Sequence, residues 1–165
     1  MSSSSDSRGR LQDKVCVITG AASGIGAETA RLFGEEGATV VGVDLSPDAV
    51  GDLALEVDVT DEEQVEAMYQ RVADEYGRVD VLFNNAGIFS VRTFPETTLE
   101  ELDRLLRVNV HSVFLGMQAV LGEMIERRSG SIVNNASVNG VLAPSGAAAY
   151  TTSKHAVIGL TRAAA

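Results

Sequence analysis

The stretch Thr19-Gly20-Ala21-Ala22-Ser23-Gly24-Ile25-Gly26 decides the fold of this chain. It follows the apolar run Val15-Cys16-Val17-Ile18, which is typical of a buried strand, and it precedes a helical pattern that begins at Ala27. Three glycines at a strand-to-helix joint allow a tight turn and let a ligand approach the backbone closely. The free N–H groups of the helix favour an anion there, such as a pyrophosphate. Because glycine patterns also occur in plain turns, the flanking strand and helix are what favour a nucleotide site.

Along the rest of the chain, short apolar runs alternate with helical patterns, which predicts an α/β fold with a parallel sheet covered by helices. Further strands are predicted at residues 39–44, 53–57, 79–83 and 131–135. Helices are predicted from Thr60, as the cap of a capping box, from Thr98, and from near Tyr150. In the helix from Thr98, apolar residues at steps of three and four predict one buried stripe: Leu99, Leu102, Leu106, Val110, Val113, Met117, Val120 and Met124.

The composition fits one globular domain. The chain has 165 residues, of which 45% are hydrophobic and 22% charged. A formal net charge of −10 argues against nucleic-acid and anionic-membrane partners, since both favour clustered Lys and Arg. No apolar run approaches the ~18 residues of a membrane span, and the single cysteine, Cys16, predicts neither a disulfide nor a metal site. We expect a cytoplasmic protein with a disordered tail at residues 1–10 and one domain at residues 11–165.

An acid at the end of the second predicted strand indicates which dinucleotide is preferred. Asp44 lies 18 residues after Gly26, where a carboxylate accepts hydrogen bonds from both ribose hydroxyls of an adenosine and repels a 2′-phosphate. Its neighbours Val43 and Leu45 are not basic. This arrangement favours NAD over NADP.

A possible acid–base group lies in the last helix, where Tyr150 and Lys154 are four residues apart on one face. A cation ~5 Å from the phenol, at an effective dielectric of ~20, favours the ionised phenol by roughly 3 kcal/mol. Ser137, after the fifth strand, has a hydroxyl suited to a substrate oxygen, and it lacks the acid and histidine partners of a hydrolase nucleophile. Asn109 interrupts the apolar stripe, so it either bends the helix around a water or joins a polar network.

Five motifs occur together: Thr19-Gly20-x-x-x-Gly24-Ile25-Gly26, Asn84-Asn85-Ala86-Gly87, Asn109, Ser137 and Tyr150-x-x-x-Lys154. In this combination the chain closely resembles the short-chain dehydrogenase/reductase family over residues 11–165. The resemblance implies a doubly wound parallel sheet of the Rossmann type, with strand order 3-2-1-4-5 and later strands missing. It implies that a dinucleotide binds across the strand ends.

The resemblance also implies roles for individual residues. Tyr150 exchanges a proton with the substrate oxygen, and Lys154 holds the nicotinamide ribose and favours the ionised tyrosine. Ser137 polarises the substrate oxygen, and Asn109 holds a water in a proton relay with the lysine. The implied cofactor-binding residues are Gly20, Ser23, Gly24, Ile25, Gly26, Asp44, Asp58, Val59, Asn85, Ala86, Gly87, Tyr150 and Lys154, with Asp58 and Val59 at the adenine and Asn85 to Gly87 beside the adenosine.

The activity implied is hydride transfer between NAD(H) and a small secondary alcohol or ketone, with Tyr150 as general acid/base. Two alternatives remain open: a non-catalytic NAD-binding module, and an epimerase or dehydratase on the same scaffold. Family members are usually longer, and the resemblance implies that the part beyond the position of Ala165 forms the wall of the substrate pocket. We therefore expect this polypeptide to bind NAD weakly and to turn over poorly. The resemblance further implies a homo-oligomer in the complete protein, either a dimer or a tetramer. From the charge we expect no nucleic-acid or membrane partner, and we expect no metal site because His111 and His155 lie on predicted helices without other metal-ligand residues.

Overall fold

The computed structural model of the protein describes residues 9–165. Five parallel strands form one sheet in the order β3-β2-β1-β4-β5. The strands are β1 Val15–Thr19, β2 Thr39–Asp44, β3 Leu53–Glu56, β4 Val81–Asn84 and β5 Ser131–Asn134. The helices are α1 Gly24–Glu35, α2 Glu62–Tyr76, α3 Leu99–Leu106, α4 Ser112–Arg127 and α5 Ala148–Ala164. The predicted fold class and strand order are confirmed.

Strand β1 lies at the centre of the sheet, between β2 and β4, and all five of its residues are buried. Val15 and Val17 pack in a cluster with apolar residues of α2 and α4. Cys16 and Ile18 pack in a second cluster, with Ala30 of α1. A parallel strand that is covered on both faces carries a continuous apolar run rather than an alternating one. This explains the unbroken apolar sequence immediately before the glycine turn.

Helix α2 has a different cap from the one predicted. Asp61, not Thr60, is the N-cap, and its carboxylate accepts the N–H of Gln64 at 3.1 Å. Thr60 instead donates its hydroxyl and its N–H to Oδ1 of Asp58, at 2.8 and 2.9 Å. Aspartate and threonine are both good caps, so the competing acceptor on Asp58 decides between them.

A π turn at Arg107–His111 interrupts the long helical stretch between α3 and α4. Because a π turn contains an extra residue, the apolar stripe changes phase across it. After the turn, the predicted positions Val113, Met117, Val120 and Met124 are buried. Before it, Leu105 is fully buried and Leu99 is 72% exposed. The prediction of one continuous stripe was therefore wrong before the turn, although Thr98 caps α3 as expected.

Among residues 9–165, one helical stretch, Leu99–Arg127, is long and apolar enough to cross a membrane by length and composition alone. The sequence-based expectation considered only uninterrupted apolar runs and did not find it. A core helix of a globular protein passes the same test, and the buried side of this stretch packs in the apolar clusters beside the sheet. The stretch is therefore weak evidence for a membrane span.

Arg10, which lies in the predicted tail, contacts the domain. Its guanidinium pairs with Glu36 at 3.0 Å, and its backbone N–H donates to the same carboxylate at 2.8 Å. Arg10 is therefore held against the domain, although the predicted boundary lies at residue 11. Residues 1–8 of the predicted tail lie outside the described residues.

A buried carboxylate joins the start of β4 to β1. Asp80 is 6% exposed, and it accepts hydrogen bonds from the N–H of Val15 at 3.0 Å and from Nε of Arg78 at 2.9 Å. Burial by itself would raise the pKa of Asp80, but the two donors outweigh it, so the pKa lies below its ordinary value of 3.8. The ionised form is therefore part of the stable fold.

Asp80→Asn should lower the free energy of unfolding at neutral pH by roughly 1–3 kcal/mol, because the amide cannot replace a charge that two donors face. Since the pKa of Asp80 is lowered by folding, its contribution is present above the unfolded value and is lost as the pH falls through the folded value. Urea unfolding at pH 7 and below pH 4 should show a weaker acid dependence in the variant. Asp103→Asn, at an exposed position on α3, is the control. Equal acid dependence of variant and wild type would contradict the role of Asp80.

Candidate functional site

The glycine turn leaves its backbone open to a ligand. Gly20 and Gly24 have φ angles of +70° and +52°, which favour glycine. At Gly26, an added Cβ would lie 1.9 Å from the carbonyl oxygen of Gly20, so no side chain fits there. Within the described residues, no side chain caps the first turn of α1 and no acid lies in it. The turn therefore has the properties of a helix N-terminal anion site.

A groove of about 410 Å³ runs from the glycine turn along the carboxyl ends of the strands. It is lined by all the predicted cofactor residues except Gly26, Tyr150 and Lys154. Five further lining residues were missed: Leu45, Val57, Thr60, Ile88 and Val108. Most of them are sequence neighbours of predicted residues. They could have been predicted by including the residues on either side of each strand end.

Asp44 is tied to the glycine turn. Its Oδ2 accepts the N–H of Ala22 at 3.0 Å, and its Oδ1 accepts the N–H of Ser46 at 3.1 Å. A carboxylate oxygen has two lone pairs, so each oxygen retains one for a further donor. The carboxylate lies at the edge of the groove with this remaining capacity.

Polar groups join the ends of three strands to the last helix. The hydroxyl of Thr19 accepts the N–H groups of Asn85 and Ala86, both at 3.0 Å, and the Asn85 side chain donates to the Thr19 carbonyl at 3.0 Å. Asn135 donates its side-chain N–H to the Asn85 side chain at 2.9 Å, and its backbone carbonyl accepts from Nζ of Lys154 at 2.7 Å. We call Thr19, Asn85, Asn135 and Lys154 the strand-end row. Thr19 and Asn135 were not among the predicted site residues, although each lies at the end of an apolar strand.

Lys154 and Tyr150 share a face of α5, as their spacing predicted. Nζ of Lys154 lies 5.7 Å from the centre of the Tyr150 ring. Lys154 is 6% exposed, and this burial lowers the pKa of its ammonium. An added Cβ on Gly87 would lie 3.8 Å from Nζ, so the Asn-Asn-Ala-Gly loop passes directly beside the ammonium.

Asn109 joins a polar network, which is one of the two alternatives expected for it. Its Oδ1 accepts the N–H of Ile88 at 2.8 Å, and its Nδ2 donates to the Ile88 carbonyl at 2.9 Å and to the Ser153 hydroxyl at 3.0 Å. The Ser153 hydroxyl donates to the Tyr150 carbonyl at 2.7 Å. Both N–H groups of the Asn109 side chain are thus occupied. A water beside Asn109 would therefore have to donate to an oxygen atom.

Ser137 lies at the start of the 3₁₀ turn Val138–Gly140. Its Oγ accepts the N–H of Asn139 at 3.2 Å, which leaves the hydroxyl hydrogen for another acceptor. At Gly140 an added Cβ would lie 2.8 Å from the Lys154 carbonyl oxygen. This close packing brings the loop of Ser137 against the helix that carries Lys154.

One further side chain lies against the site. Phe89 packs edge-on to Tyr150, with ring centroids 4.6 Å apart and an angle of 89° between the planes. Sequence reasoning did not single it out, and its position after the Asn-Asn-Ala-Gly motif is the only local signal.

Comparison with known proteins gives consistent results. Residues 14–165 match the family model described as short chain dehydrogenase. The 3-oxoacyl-[acyl-carrier-protein] reductase FabG of Thermotoga maritima is 42% identical in an alignment 165 residues long, which covers 93% of this chain and 67% of that protein. Levodione reductase of Leifsonia aquatica is 39% identical in an alignment 178 residues long with its gaps, which covers 98% of this chain and 66% of that protein. The crystal structure of a short-chain dehydrogenase from Streptomyces avermitilis superposes with a TM-score of 0.88 at 38% identity, covering 91% of this chain and 59% of that one. The chain thus spans about two thirds or less of the length of these relatives.

Lys154→Met should change the free energy of unfolding at pH 7 by no more than about 2 kcal/mol, because it replaces a buried cation by an apolar side chain of similar size. Since folding lowers the pKa of Lys154 below 10.5, the cost of burying the ammonium is present below the folded pKa and is relieved as the pH rises towards the unfolded one. Urea unfolding between pH 7 and pH 10 should therefore show wild-type stability rising relative to the variant.

Lys14→Met is the matched control, since Lys14 is the other lysine of the chain and is only partly buried. The pH dependence measured for Lys154→Met is compared with that of this control. A loss well above 2 kcal/mol in Lys154→Met would instead mean that the bond from Lys154 to Asn135 holds the fold together.

Proposed function

We propose that this chain, which belongs to the short-chain dehydrogenase family of oxidoreductases, transfers hydride between NAD(H) and a small secondary alcohol or ketone. The observation that carries the proposal is the buried ammonium of Lys154, 5.7 Å from the Tyr150 ring and hydrogen-bonded into the strand-end row. That row ends at Thr19, where the glycine turn begins. A phenol beside a cation and an anion-binding turn thus lie on one connected framework.

The groove fits a dinucleotide. The backbone at Gly26 admits no side chain, the positive φ of Gly20 favours glycine, and the first N–H groups of α1 suit a pyrophosphate. Asp44 retains acceptors for the ribose hydroxyls of the adenosine, and its charge disfavours a 2′-phosphate, so we propose NAD rather than NADP. Lys154 would hold the nicotinamide ribose, and the predicted adenine contacts are Asp58 and Val59. A bound nicotinamide supplies the hydride donor or acceptor.

Tyr150 is the general base in oxidation and the general acid in reduction. In oxidation its ionised oxygen accepts the hydroxyl proton of the alcohol, and in reduction its O–H donates a proton to the oxygen of the former carbonyl. Lys154 places its positive charge 5.7 Å from the centre of the phenol ring. Ser137 donates its free hydroxyl hydrogen to the same substrate oxygen, while the N–H of Asn139 orients its Oγ. Two donors thus stabilise negative charge where it develops.

The names of the relatives support a carbonyl or alcohol substrate. FabG and the levodione enzyme are both named as reductases. A non-catalytic NAD-binding module remains the alternative to test, since it needs the groove but not the proton chemistry.

Tyr150→Phe should lower kcat by about 10²–10⁴, because it removes the proton donor and acceptor from the reaction. NAD affinity, measured by calorimetry, should stay within about threefold of wild type, and turnover is measured with secondary alcohols and NAD and with ketones and NADH. Tyr76→Phe on α2 is the control and should keep wild-type turnover. Turnover in the wild type, however slow, that is lost in Tyr150→Phe would favour the enzyme over the non-catalytic module, and full turnover in Tyr150→Phe would refute the role of the phenol.

Asp44→Asn should reduce the preference of binding for NAD over NADP by about tenfold or more, a difference of roughly 1.4 kcal/mol, because the negative charge facing a 2′-phosphate is removed. Calorimetric titration of this chain with each dinucleotide measures the preference. Asp48→Asn, an exposed acid nearby, should leave it unchanged. An unaltered preference in Asp44→Asn would overturn the assignment of Asp44 to the adenosine ribose.

A further inference from the structure

Phe89 is an exposed aromatic side chain that nevertheless makes a specific ring contact. It is 59% exposed and lies in a connecting segment, yet its ring packs edge-on against Tyr150. Exposed loop side chains usually move freely, so the contact requires that the neighbouring backbone be fixed.

The residues on both sides of Phe89 are anchored to one helical stretch. On one side, Asn109 binds both the N–H and the carbonyl of Ile88, at 2.8 and 2.9 Å. On the other side, Glu101 of α3 binds two side chains of the same segment. Its Oε1 accepts the hydroxyl of Ser90, and its Oε2 accepts Nε of Arg92 at 2.8 Å.

The segment is also joined to the helix of Tyr150. The backbone of Arg92 forms an isolated parallel β-bridge with Ala147, the residue before α5. The position of Phe89 relative to Tyr150 is therefore set from two directions: by Glu101 and Asn109 on the side of α3, and by this bridge at the start of α5.

Glu101 makes these contacts instead of the one that its local sequence favours. Thr98-x-x-Glu101 has the pattern of a capping box, in which the acid binds the N–H of the capping threonine. In the nearby Thr93-x-x-Glu96 the acid does so, since Glu96 accepts the N–H of Thr93 at 3.2 Å. The Glu101 side chain is 12% exposed and turns to Ser90 and Arg92. Its burial therefore serves the loop rather than the helix cap.

We propose that Glu101 is a positioning residue for Tyr150. Its carboxylate holds the Ser90–Arg92 segment so that the Phe89 ring stays edge-on against the phenol ring. The function of this placement rests on the role proposed above for Tyr150, whereas the placement itself does not. A carboxylate suits the task because each of its two oxygens accepts one donor, and a glutamine side chain offers only one oxygen.

The test compares Glu101→Gln with Glu100→Gln, a matched change of an exposed acid in the same turn of α3. The readout is the NMR resonances of the Tyr150 ring, identified by their loss in Tyr150→Phe. Phe89→Leu defines the shift that follows when the aromatic edge is removed. We expect Glu101→Gln to move the Tyr150 resonances towards the Phe89→Leu values, and Glu100→Gln to leave them at the wild-type values.

Two further measurements separate positioning from mere loop stability. Trypsin should cleave after Arg92 several-fold faster in folded Glu101→Gln, and kcat should fall about tenfold while the KM for NAD stays unchanged. Faster cleavage with unchanged Tyr150 resonances would overturn the proposal.

If Glu101→Gln does not fold, Ser90→Ala and Arg92→Met each remove one half of the contact, and unmoved Tyr150 resonances in both would equally overturn the proposal. Shifted resonances together with full turnover in Tyr150→Phe would leave the placement standing and refute the proposed function.

Discussion

The buried ammonium of Lys154 needs a hydrogen-bond acceptor, and the rest of the site is built around the one it has. A cation that is 94% removed from solvent without a partner would be strongly destabilising (Lys154 is 6% exposed). Its acceptor is the backbone carbonyl of Asn135, immediately after β5. A carbonyl at that point is available because the strand ladder has ended and the group still requires a donor. The helix of Tyr150 is thereby fixed to a strand end.

Asn135 also connects Lys154 to the ends of the other strands. The Asn135 side chain donates to Asn85 after β4, and Asn85 in turn binds Thr19 at the end of β1. Because the strands are parallel, all their carboxyl ends lie along one edge, where ligands of open α/β sheets bind. Residues from the first turn and from the last helix therefore meet at one edge, although almost the whole chain separates them. At the same edge, Gly26 lies so close to the Gly20 carbonyl that no side chain fits between them.

The features that the sequence predicted correctly are those set by neighbouring residues. The apolar run before the glycine turn, the alternation of strands and helices and the Thr98 cap each follow from a local pattern. The features it missed depend on groups distant in the chain. Thr60 loses its capping role to an acceptor on Asp58, and the π turn changes the phase of an otherwise regular stripe. The contacts of Thr19, Asn135 and Phe89 depend on the register of separate strands and loops, which periodicity does not encode. The positions of the predicted catalytic residues could be expected from their motif, but their partners could not.

Residues that depart from a local rule are informative about this site. Asn109 is polar within an apolar stripe, and its amide binds both the N–H and the carbonyl of Ile88. Glu101 leaves a capping box that Glu96, five residues earlier, forms in the usual way. Each departure sacrifices a favourable local arrangement, and natural proteins concentrate such conflicts where function requires them. Here both departures act on the same short segment, on either side of Phe89. Two departures from local rules beside the same segment indicate that the position of this segment matters for function. Phe89, in the middle of the segment, contacts the phenol ring of Tyr150.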